Sequence, residues 1–418
     1  MSTHSRSPVT GVELATPVTV TGDDVCAAAR LLRGVVTVTP VEESRALSAI
    51  AGTPVLLKCE NLQRAGSFKI RGAYVRMARL SPADRARGVV AASAGNHAQG
   101  VALAARLLGI DAVVYMPTDA ALPKVAATRE YGARVRLHGT SVDEALTAAL
   151  AESERTGAVL IHPFDHPDVV AGQGTLGLEV LEQVPDVRTV VVPVGGGGLA
   201  AGVVTAVHAL RPDVRVVGVQ AAGAAAYPRS LAAGSPLPAP SMATMADGIA
   251  VGTPGRVPFG VLHAAGTEVR TVSEDALSRA LLLVAERAKL LVEPSGAAAV
   301  AAVMADPGGF EGPVVAVLSG GNIDPLVLLR VVRHGLASAG RYLQLRVRVD
   351  DSPGSLARLL SRLATSGGNV VHVSHVRTGV DLALHQVEVD VQLETKGPDH
   401  CTQVVRELQA AGYEVVAA

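Results

Sequence analysis

The sequence predicts an α/β protein in which a large parallel-sheet region is followed by a smaller antiparallel domain. From about residue 55 to residue 326, short runs rich in Val, Ile and Leu alternate with longer helical stretches, as in sheets covered by helices on both faces. After residue 341, apolar residues alternate with polar ones, which is typical of a sheet with one face in water. The 418 residues suffice for two or three domains, and 49% hydrophobic with 18% charged residues excludes general disorder.

The first region is predicted to contain a series of βα units joined by short loops. The apolar runs predict strands at 55–60, 88–92, 112–116, 134–138, 158–161, 189–194, 215–220 and 313–318. Helical patterns cover 97–108, 141–156 and 273–291 among others, with Ser141 and Ser273 placed as N-caps. The expected organisation is a domain over 1–334, with a smaller inserted subdomain at about 55–160.

The last part of the chain predicts a separate domain at 342–418, reached through a linker of small residues at 335–341. Its strands are expected at 342–349, 369–377, 384–393 and 413–416, and its helices at 353–365 and 399–411. This order is the βαββαβ plan of a ferredoxin-like fold.

Composition excludes several classes of partner. Lys plus Arg is 37 and Asp plus Glu is 38, so the net charge of −1 offers no surplus for a nucleic-acid backbone. Aromatic residues make up 2% of the chain and Trp is absent, which removes the stacking platforms of single-strand binders. We therefore expect no nucleic-acid partner.

The sequence also indicates a cytoplasmic location. Cys26, Cys59 and Cys401 form no C-x-x-C pair, which favours a reducing compartment without disulfides or a zinc knuckle. Residues 1–11 are polar and lack the apolar core of a signal peptide. The uncharged stretch 190–210 has the length of a membrane span, but Pro193 and four consecutive glycines divide it into a strand, a loop and a helix. We expect no membrane association.

Lys69 is the first candidate for chemistry. It lies in residues 66–73, GSFKIRGA, where small residues allow a close backbone approach and the aromatic Phe68 adjoins the amine. A lysine in a tight, partly desolvated pocket loses its proton readily, as Schiff-base chemistry with a carbonyl cofactor requires. The alternative from this segment alone is an ordinary lysine at the start of a helix.

A run of glycines at 195–198, followed by Leu199, is the second candidate. Residues without Cβ let backbone N–H groups converge, and the positive end of the next helix points to the same place, so a phosphate fits. The run loosely matches a dinucleotide fingerprint, but the following strand ends at Gln220 without a carboxylate for a ribose. A Walker loop is excluded because no Lys-Ser or Lys-Thr pair follows.

Two further polar loops follow predicted strands. Residues 92–100, ASAGNHAQG, place Ser93, Asn96 and His97 at a helix start, where a small carboxylate would bind, although a capping role is equally expected. Residues 319–322, SGGN, offer the neutral hydroxyl of Ser319 after the last strand of the region. Ends of parallel strands are where open α/β sheets bind ligands.

Together, in this order, the four motifs resemble those of the pyridoxal-phosphate β-eliminases of the threonine and serine dehydratase group, over about residues 40–322. This resemblance implies fold type II of the pyridoxal-phosphate enzymes for residues 1–334. The tail, with DDSPGSL at 350–356 and GGN at 367–369, resembles an ACT regulatory domain, although ordinary turn chemistry would also explain these residues. A single such tail is similar to the medium-length form of threonine ammonia-lyase.

The resemblance implies a role for each site residue. Lys69 would carry pyridoxal 5'-phosphate as a Schiff base and remove the Cα proton of the substrate, with Phe68 packed on the cofactor ring. The phosphate group would lie against Gly195, Gly196, Gly197, Gly198 and Leu199. Asn96 would hydrogen-bond the phenolic oxygen, and Ser319 would keep the pyridine nitrogen unprotonated. The substrate carboxylate would be bound by Ser93, Gly95, Asn96 and His97.

The expected reaction is elimination of water from L-threonine, which yields 2-oxobutanoate and ammonia, with L-serine giving pyruvate. Similar serine racemases carry a second serine at the position of Ala94, so racemisation is not expected here. Alternatives are a serine-preferring dehydratase or a non-catalytic amino-acid sensor. No carboxylate follows the strand at 215–220, so no divalent metal site is expected. The ACT resemblance implies a homotetramer or homodimer and isoleucine or valine as effector.

Overall fold

The computed structural model describes residues 19–377 and 382–417; the polar segment 1–11 discussed above lies outside them. The described strands are β1 (Val41–Glu43), β2 (Val55–Lys58), β3 (Val89–Ala92), β4 (Ala112–Met116), β5 (Arg134–Leu137), β6 (Val159–Leu160), β7 (Thr189–Pro193), β8 (Arg215–Ala221), β9 (Glu268–Val272), β10 (Val314–Val317), β11 (Tyr342–Asp350), β12 (Asn369–Val376), β13 (Gln386–Glu394) and β14 (Glu414–Ala417).

The strands are connected mainly by helices, as the βα pattern predicts. The described helices are α1 (Gly22–Leu32), α2 (Arg45–Ala51), α3 (Lys69–Ala78), α4 (Pro82–Arg87), α5 (Asn96–Leu108), α6 (Leu122–Glu130), α7 (Val142–Thr156), α8 (Pro167–Gln183), α9 (Gly198–Leu210), α10 (Tyr227–Ala233), α11 (Arg256–Ala264), α12 (Glu274–Leu283), α13 (Ala298–Ala305), α14 (Pro325–Ser338), α15 (Ser355–Thr365) and α16 (Pro398–Ala410).

The strands form three sheets. The largest has the order β1-β2-β10-β7-β8-β9, and all its pairings are parallel except that between β1 and β2. A second, wholly parallel sheet has the order β5-β4-β3-β6. The third, antiparallel sheet has the order β12-β13-β11-β14 and carries α15 and α16, which confirms the βαββαβ plan of the tail.

The predicted strands are present, with bounds that differ by a few residues. The prediction missed β1, which has three residues, and β9, whose alternating charged residues are typical of neither buried strands nor loops. Within the predicted range of 55–160, β2 pairs with β10 in the large sheet, and the four-stranded sheet begins only at β3. Val55–Lys58 therefore belongs to the larger sheet. The sequence pattern does not reveal this, because the partner strand β10 lies more than two hundred residues away.

Two helix predictions need correction. The helix expected over 273–291 ends at Leu283 and continues as a π-helical turn over Val284–Ala288, after which Lys289 adopts a left-handed conformation with φ of 60°. The linker expected at 335–341 is mostly helical, because α14 extends through it to Ser338. Gly335 lies inside that helix, where its missing Cβ admits the backbone of Ser278 from α12.

The N-caps and the predicted division of the uncharged stretch are confirmed. Ser141 accepts a hydrogen bond from the N–H of Glu144, and Ser273 accepts one from that of Ala276. The uncharged stretch 190–210 forms β7, a glycine loop and α9, as expected. No helix in the described ranges is both long and apolar enough to cross a membrane.

Candidate active site

Lys69 is the first residue of α3, at a point where three helices approach closely. A Cβ on Gly100 of α5 would lie 3.0 Å from the backbone of Lys69, and one on Gly72 would lie 2.5 Å from the Gln173 side chain of α8. The Lys69 Nζ donates a hydrogen bond of 3.3 Å to the carbonyl of Pro163 and lies 5.0 Å from the centre of the Phe68 ring. The close packing that these glycines allow leaves Lys69 only partly exposed.

Burial changes the ionisation of this amine. Desolvation lowers the pKa of Lys69 to about 8, against the opposing field of Glu293. A substantial fraction of the amine is therefore neutral near pH 8, and a neutral amine is the form that attacks a carbonyl carbon or accepts a proton. The structure supports the deprotonated lysine that the sequence predicted at this position.

The segment with Phe68 pairs with the loop that carries Ser319. The N–H of Phe68 donates to the Ser319 carbonyl at 3.3 Å, and Ser67 forms a bridge with Gly320. The Oγ of Ser319 lies 3.5 Å from the Ser295 carbonyl, a long contact, and the residue is 4% exposed. Two predicted motifs, about 250 residues apart in sequence, are therefore adjacent.

The glycine loop connects β7 to α9. Gly197 has a φ of +99°, and a Cβ there would lie 1.9 Å from the Tyr227 hydroxyl, so no other residue fits without rearrangement. The Gly196 carbonyl is held by the N–H of Gly255 and by the Tyr227 hydroxyl. Within the described ranges, the N–H groups of residues 195–197 have no backbone acceptor, and no side chain caps α9. An anion is the natural partner of such donors.

The loop between β3 and α5 holds the predicted carboxylate-binding residues. Ser93 Oγ accepts a hydrogen bond from the N–H of Gly95, which precedes α5. His97 is almost fully buried, and its Nε2 contacts the Ile161 carbonyl at 2.7 Å. Burial, followed by the charge of Lys69, lowers the pKa of His97 to about 3, so the ring is neutral. His97 therefore holds the loop against the residue that follows β6 and offers no positive charge to a substrate.

Asn96 is held by two residues from distant parts of the chain. Its Nδ2 donates to Glu293 Oε1 at 2.6 Å, and its Oδ1 accepts from Asn322 Nδ2 at 2.9 Å. Asn322 also donates to the Ala65 carbonyl at 2.7 Å, which joins this loop to the segment before Lys69. Three of the predicted motifs are thus in contact, and the glycine loop reaches them through Phe164, whose neighbour Pro163 accepts the hydrogen bond of Lys69.

Several buried polar atoms around the site have no hydrogen-bond partner within the described residues. They include Ser67 Oγ, Ser295 Oγ and Glu293 Oε2. A buried polar atom is normally paired, so a cluster of unpaired ones beside a buried lysine indicates that a polar ligand completes the site. These atoms, the free N–H groups of the glycine loop and the lysine suit a group with a carbonyl, a phosphate and a heteroaromatic ring.

Two residues of this site were missed by the sequence analysis. Phe164 packs its ring on the glycine loop, 2.4 Å from the position of a Cβ on Gly196, and contacts His162 edge to face. Glu293 is the second, and its signal was available: it is the single charged residue between Lys289 and Asp306. A lone carboxylate in an apolar stretch is costly to bury and therefore indicates function.

A cavity of about 400 Å³ opens on the Asn96 side of the site, since Glu293 and Asn322 line it. Lys124 of α6 crosses it and donates to Asp247 at 2.7 Å, next to the Gly95 loop. Asp324 adds a further carboxylate to the lining. Arg330 and His334 also line it, so the cavity carries groups of both signs.

A separate cluster of buried charges lies close by on α3. Arg71 is fully buried and donates to both oxygens of Glu60 and to both oxygens of Glu179, at 2.6 to 3.0 Å. Lys58 Nζ donates to Glu179 Oε2 and to the Thr39 carbonyl. These partners join α3 to β2 and α8, and so fix the helix that begins with Lys69.

Comparison with known proteins gives one consistent family. The model of the family "Pyridoxal-phosphate dependent enzyme" matches residues 32–320. The L-threonine ammonia-lyase of Thermotoga maritima is 45% identical over 396 residues, 95% of this chain and 99% of the relative. That of Geobacter sulfurreducens is 46% identical over 378 residues, 90% of this chain and 94% of the relative. A crystal structure of threonine deaminase from T.th. covers 73% of this chain and 99% of its own, with 43% identity and a TM-score of 0.69.

Proposed function

The chain belongs to the family of pyridoxal-phosphate dependent enzymes, and we propose that it eliminates water and ammonia from L-threonine to give 2-oxobutanoate. The observation that carries the proposal is the convergence of a buried lysine, an uncapped glycine loop and unpaired polar atoms in one site. Relatives that span nearly the whole chain and are named for this reaction support it. The cofactor is pyridoxal 5'-phosphate.

We propose that the glycine loop holds the phosphate. The N–H groups of Gly195, Gly196 and Gly197, together with those of Gly198 and Leu199 at the start of α9, donate to it, where the helix dipole favours a negative charge. Phe68 packs on the ring, Asn96 donates to the phenolic oxygen and Ser319 meets the pyridine nitrogen. When bound, the group supplies an electron sink that acidifies the Cα–H bond of an attached amino acid.

We propose that Lys69 performs the proton transfer. Its amine would hold the cofactor, and with a substrate present it would accept the Cα proton on Nζ, which its lowered pKa of about 8 permits near neutral pH. The β-hydroxyl would leave as water by taking up the proton that Lys69 has accepted, and the enamine product would hydrolyse after release to the 2-oxo acid and ammonia. Phe164 covers the glycine loop and limits the access of water from that side.

The substrate carboxylate is proposed to bind at the start of α5. The Ser93 hydroxyl and the N–H of Asn96 would donate to it, and so would the N–H of Gly95 in place of its bond to Ser93 Oγ, while the neutral, buried His97 supports the loop from behind. The charged residues that line the cavity beyond are of both signs: Asp247, Glu293 and Asp324 with Lys124, Arg330 and His334. The lining alone does not select the substituent at Cβ, and the preference for threonine is supported by the relatives that span nearly the whole chain.

For the organisation of the chain, we propose a catalytic domain over residues 1–334 and an ACT-like regulatory domain over 342–418. The antiparallel β12-β13-β11-β14 sheet with its two helices supports the second assignment. We further propose that two or four copies associate and that isoleucine or valine binds the regulatory domain. A light-scattering mass equal to one chain, or titration calorimetry without heat for either amino acid, would count against these assignments.

The decisive experiment measures 2-oxobutanoate and pyruvate from the cofactor-loaded protein with L-threonine and L-serine, beside Lys69→Ala. We expect the wild type to turn over threonine and Lys69→Ala to be inactive. A protein that binds the cofactor and is inert on both amino acids would overturn the lyase and favour the sensor. If serine were turned over faster than threonine, serine would be the preferred substrate.

One variant tests the difference from racemases. Ala94 follows Ser93 directly, and a hydroxyl at this position would give the site a second acid-base group. We expect Ala94→Ser to form measurable D-serine from L-serine, whereas the wild type forms none, as followed by chiral chromatography. Absence of D-serine from the variant would contradict the proposed placement of this loop beside the substrate.

A further inference from the structure

Glu293 is a buried carboxylate to which neither the sequence motifs nor the mechanism above gives a role. It is 3% exposed and precedes the turn that leads into α13. Two glycines make room for it, because a Cβ on Gly320 would lie 2.6 Å, and one on Gly248 3.2 Å, from its Oε1. The carboxylate therefore fits in the site only because residues 248 and 320 have no side chain.

The contacts of Glu293 fix the orientation of a neighbouring amide. Asn96 Nδ2 donates to Glu293 Oε1 at 2.6 Å, while Asn322 Nδ2 donates to Asn96 Oδ1 at 2.9 Å. The two contacts distinguish the nitrogen of the Asn96 amide from its oxygen, so the group cannot flip without losing both. The second hydrogen on Nδ2 is left for another acceptor.

Charged groups from three elements face Glu293. Asp247, on the 3₁₀ turn before α11, opposes its ionisation, whereas Lys124 of α6 and Lys69 of α3 favour it. Burial is the largest influence, and it raises the pKa of Glu293 to about 7. The carboxyl group thus changes charge within the range in which the enzyme would work.

We propose that Glu293 is a positioning residue for the elimination, whose carboxylate directs the free N–H of Asn96 to the phenolic oxygen of the cofactor. A carboxylate accepts a shorter and stronger hydrogen bond than a neutral carboxyl group does, so protonation of Glu293 loosens Asn96. The site is then well ordered at a pH where Glu293 is ionised and loosened at a lower pH, where Glu293 is protonated. This inference rests on the proposed function for the place of the cofactor.

The first test compares Glu293→Gln with Glu293→Leu. Gln keeps an acceptor for Asn96 but does not titrate, so kcat/KM is expected to stay within about tenfold of wild type. The contribution of Glu293 to its decline below about pH 7 should disappear, while the contribution of Lys69 remains. Leu removes the acceptor, and kcat should fall by roughly ten- to a hundredfold, the value of a hydrogen bond to a charged group. Glu144→Gln is the control, since Glu144 accepts an equally short bond of 2.6 Å from Thr140 at the surface.

A second readout is independent of turnover. Because Asn96 is expected to contact the phenolic oxygen, Glu293→Leu should shift the absorption maximum of the bound cofactor and weaken its affinity for the apoprotein, whereas Glu293→Gln should change neither. When Glu293→Leu is added to Asn96→Ala, cofactor affinity should fall no further, because Glu293 acts through Asn96.

The outcomes separate this inference from the proposed function. Full additivity of the two substitutions, or a pH profile of Glu293→Gln that is the same as that of wild type, would overturn the role of Glu293 while leaving the lyase intact. A wild type that binds the cofactor but turns over no amino acid would overturn the lyase, and the absorption and affinity measurements would still decide whether Glu293 acts on Asn96.

Discussion

The first turn of α3 separates two buried polar regions that differ in one respect. Around Arg71, every charge is paired, since the guanidinium holds Glu60 and Glu179, and Lys58 also donates to Glu179. Around Lys69, two positions earlier, the amine has one carbonyl contact at 3.3 Å, and the nearby Glu293 Oε2 has no partner in the described part of the chain. The paired cluster is a scaffold, and the unpaired one is a binding site.

The comparison shows how a chain buries charge for two purposes. A saturated cluster holds three elements in a fixed relation but can accept no ligand, because every donor is occupied. An unsaturated cluster costs stability in the free protein, and a bound cofactor offsets that loss. Placing both on one helix lets the scaffold fix the position of the reactive amine.

The largest expected effect on stability comes from breaking the saturated cluster. Arg71→Met leaves Glu60 and Glu179 buried without their partner, which should lower the free energy of unfolding by about 3–5 kcal/mol. Chemical denaturation of the apoprotein measures it. Lys69→Met is the matched variant, and it should leave the apoprotein as stable as wild type or more so, while abolishing turnover. Equal losses in both variants would contradict the distinction between the clusters.

The glycine loop allows the next test. Gly197→Ala meets both a φ of +99° and the Tyr227 hydroxyl, so the loop must distort, and cofactor affinity should fall by roughly a hundredfold, about 2–3 kcal/mol. Gly234→Ala is the control, since its φ of +70° is also left-handed but a Cβ there meets open space. It should cost about 1 kcal/mol of stability and leave cofactor affinity unchanged. Fluorescence titration of the apoprotein with the cofactor distinguishes the two variants.

The pH dependence of stability sharpens the comparison further. Because the folded pKa of Lys69 is lowered from 10.5 to about 8, the folded apoprotein binds fewer protons than the unfolded chain between these values. Stability contributed by this residue therefore rises as the pH increases from about 8 to 10.5. The advantage of Lys69→Met over wild type should shrink across this interval in denaturant titrations. An advantage that does not change with pH would show that the amine is not desolvated.

The smallest effect is expected where an ion pair is exposed. Arg341, just before β11, pairs with Glu286 in the π-helical turn at 2.5 Å, with both side chains about half exposed. Arg341→Ala should change stability by less than about 1 kcal/mol. Since that turn leads to Glu293, we expect the variant to weaken the inhibition by isoleucine that the proposed regulatory domain predicts, and kinetics with and without isoleucine measure this. Unchanged inhibition would exclude the pair from the regulatory connection.

Much of the fold could be predicted because its signals are local. The apolar runs of the parallel sheets, the Ser141 and Ser273 caps and the alternation in β11 each depend on a few adjacent residues. The prediction was less accurate where distant contacts decide the outcome: β2 joins the large sheet through β10, and α14 continues through Gly335 because α12 packs against it. The left-handed turn at Lys289 likewise has no signal in its own residue type.

For the active site, the sequence by itself determined the chemical inventory: a rare lysine beside an aromatic residue, a four-glycine loop and two polar loops after strands. These are covalent properties of short segments. Only the tertiary structure decided which groups are paired and which are free, that His97 is a neutral support, and that Phe164 and Glu293 belong to the site. Burial, pairing and pKa depend on neighbours that are distant in sequence, so they follow from the packing of the whole chain and not from any one segment.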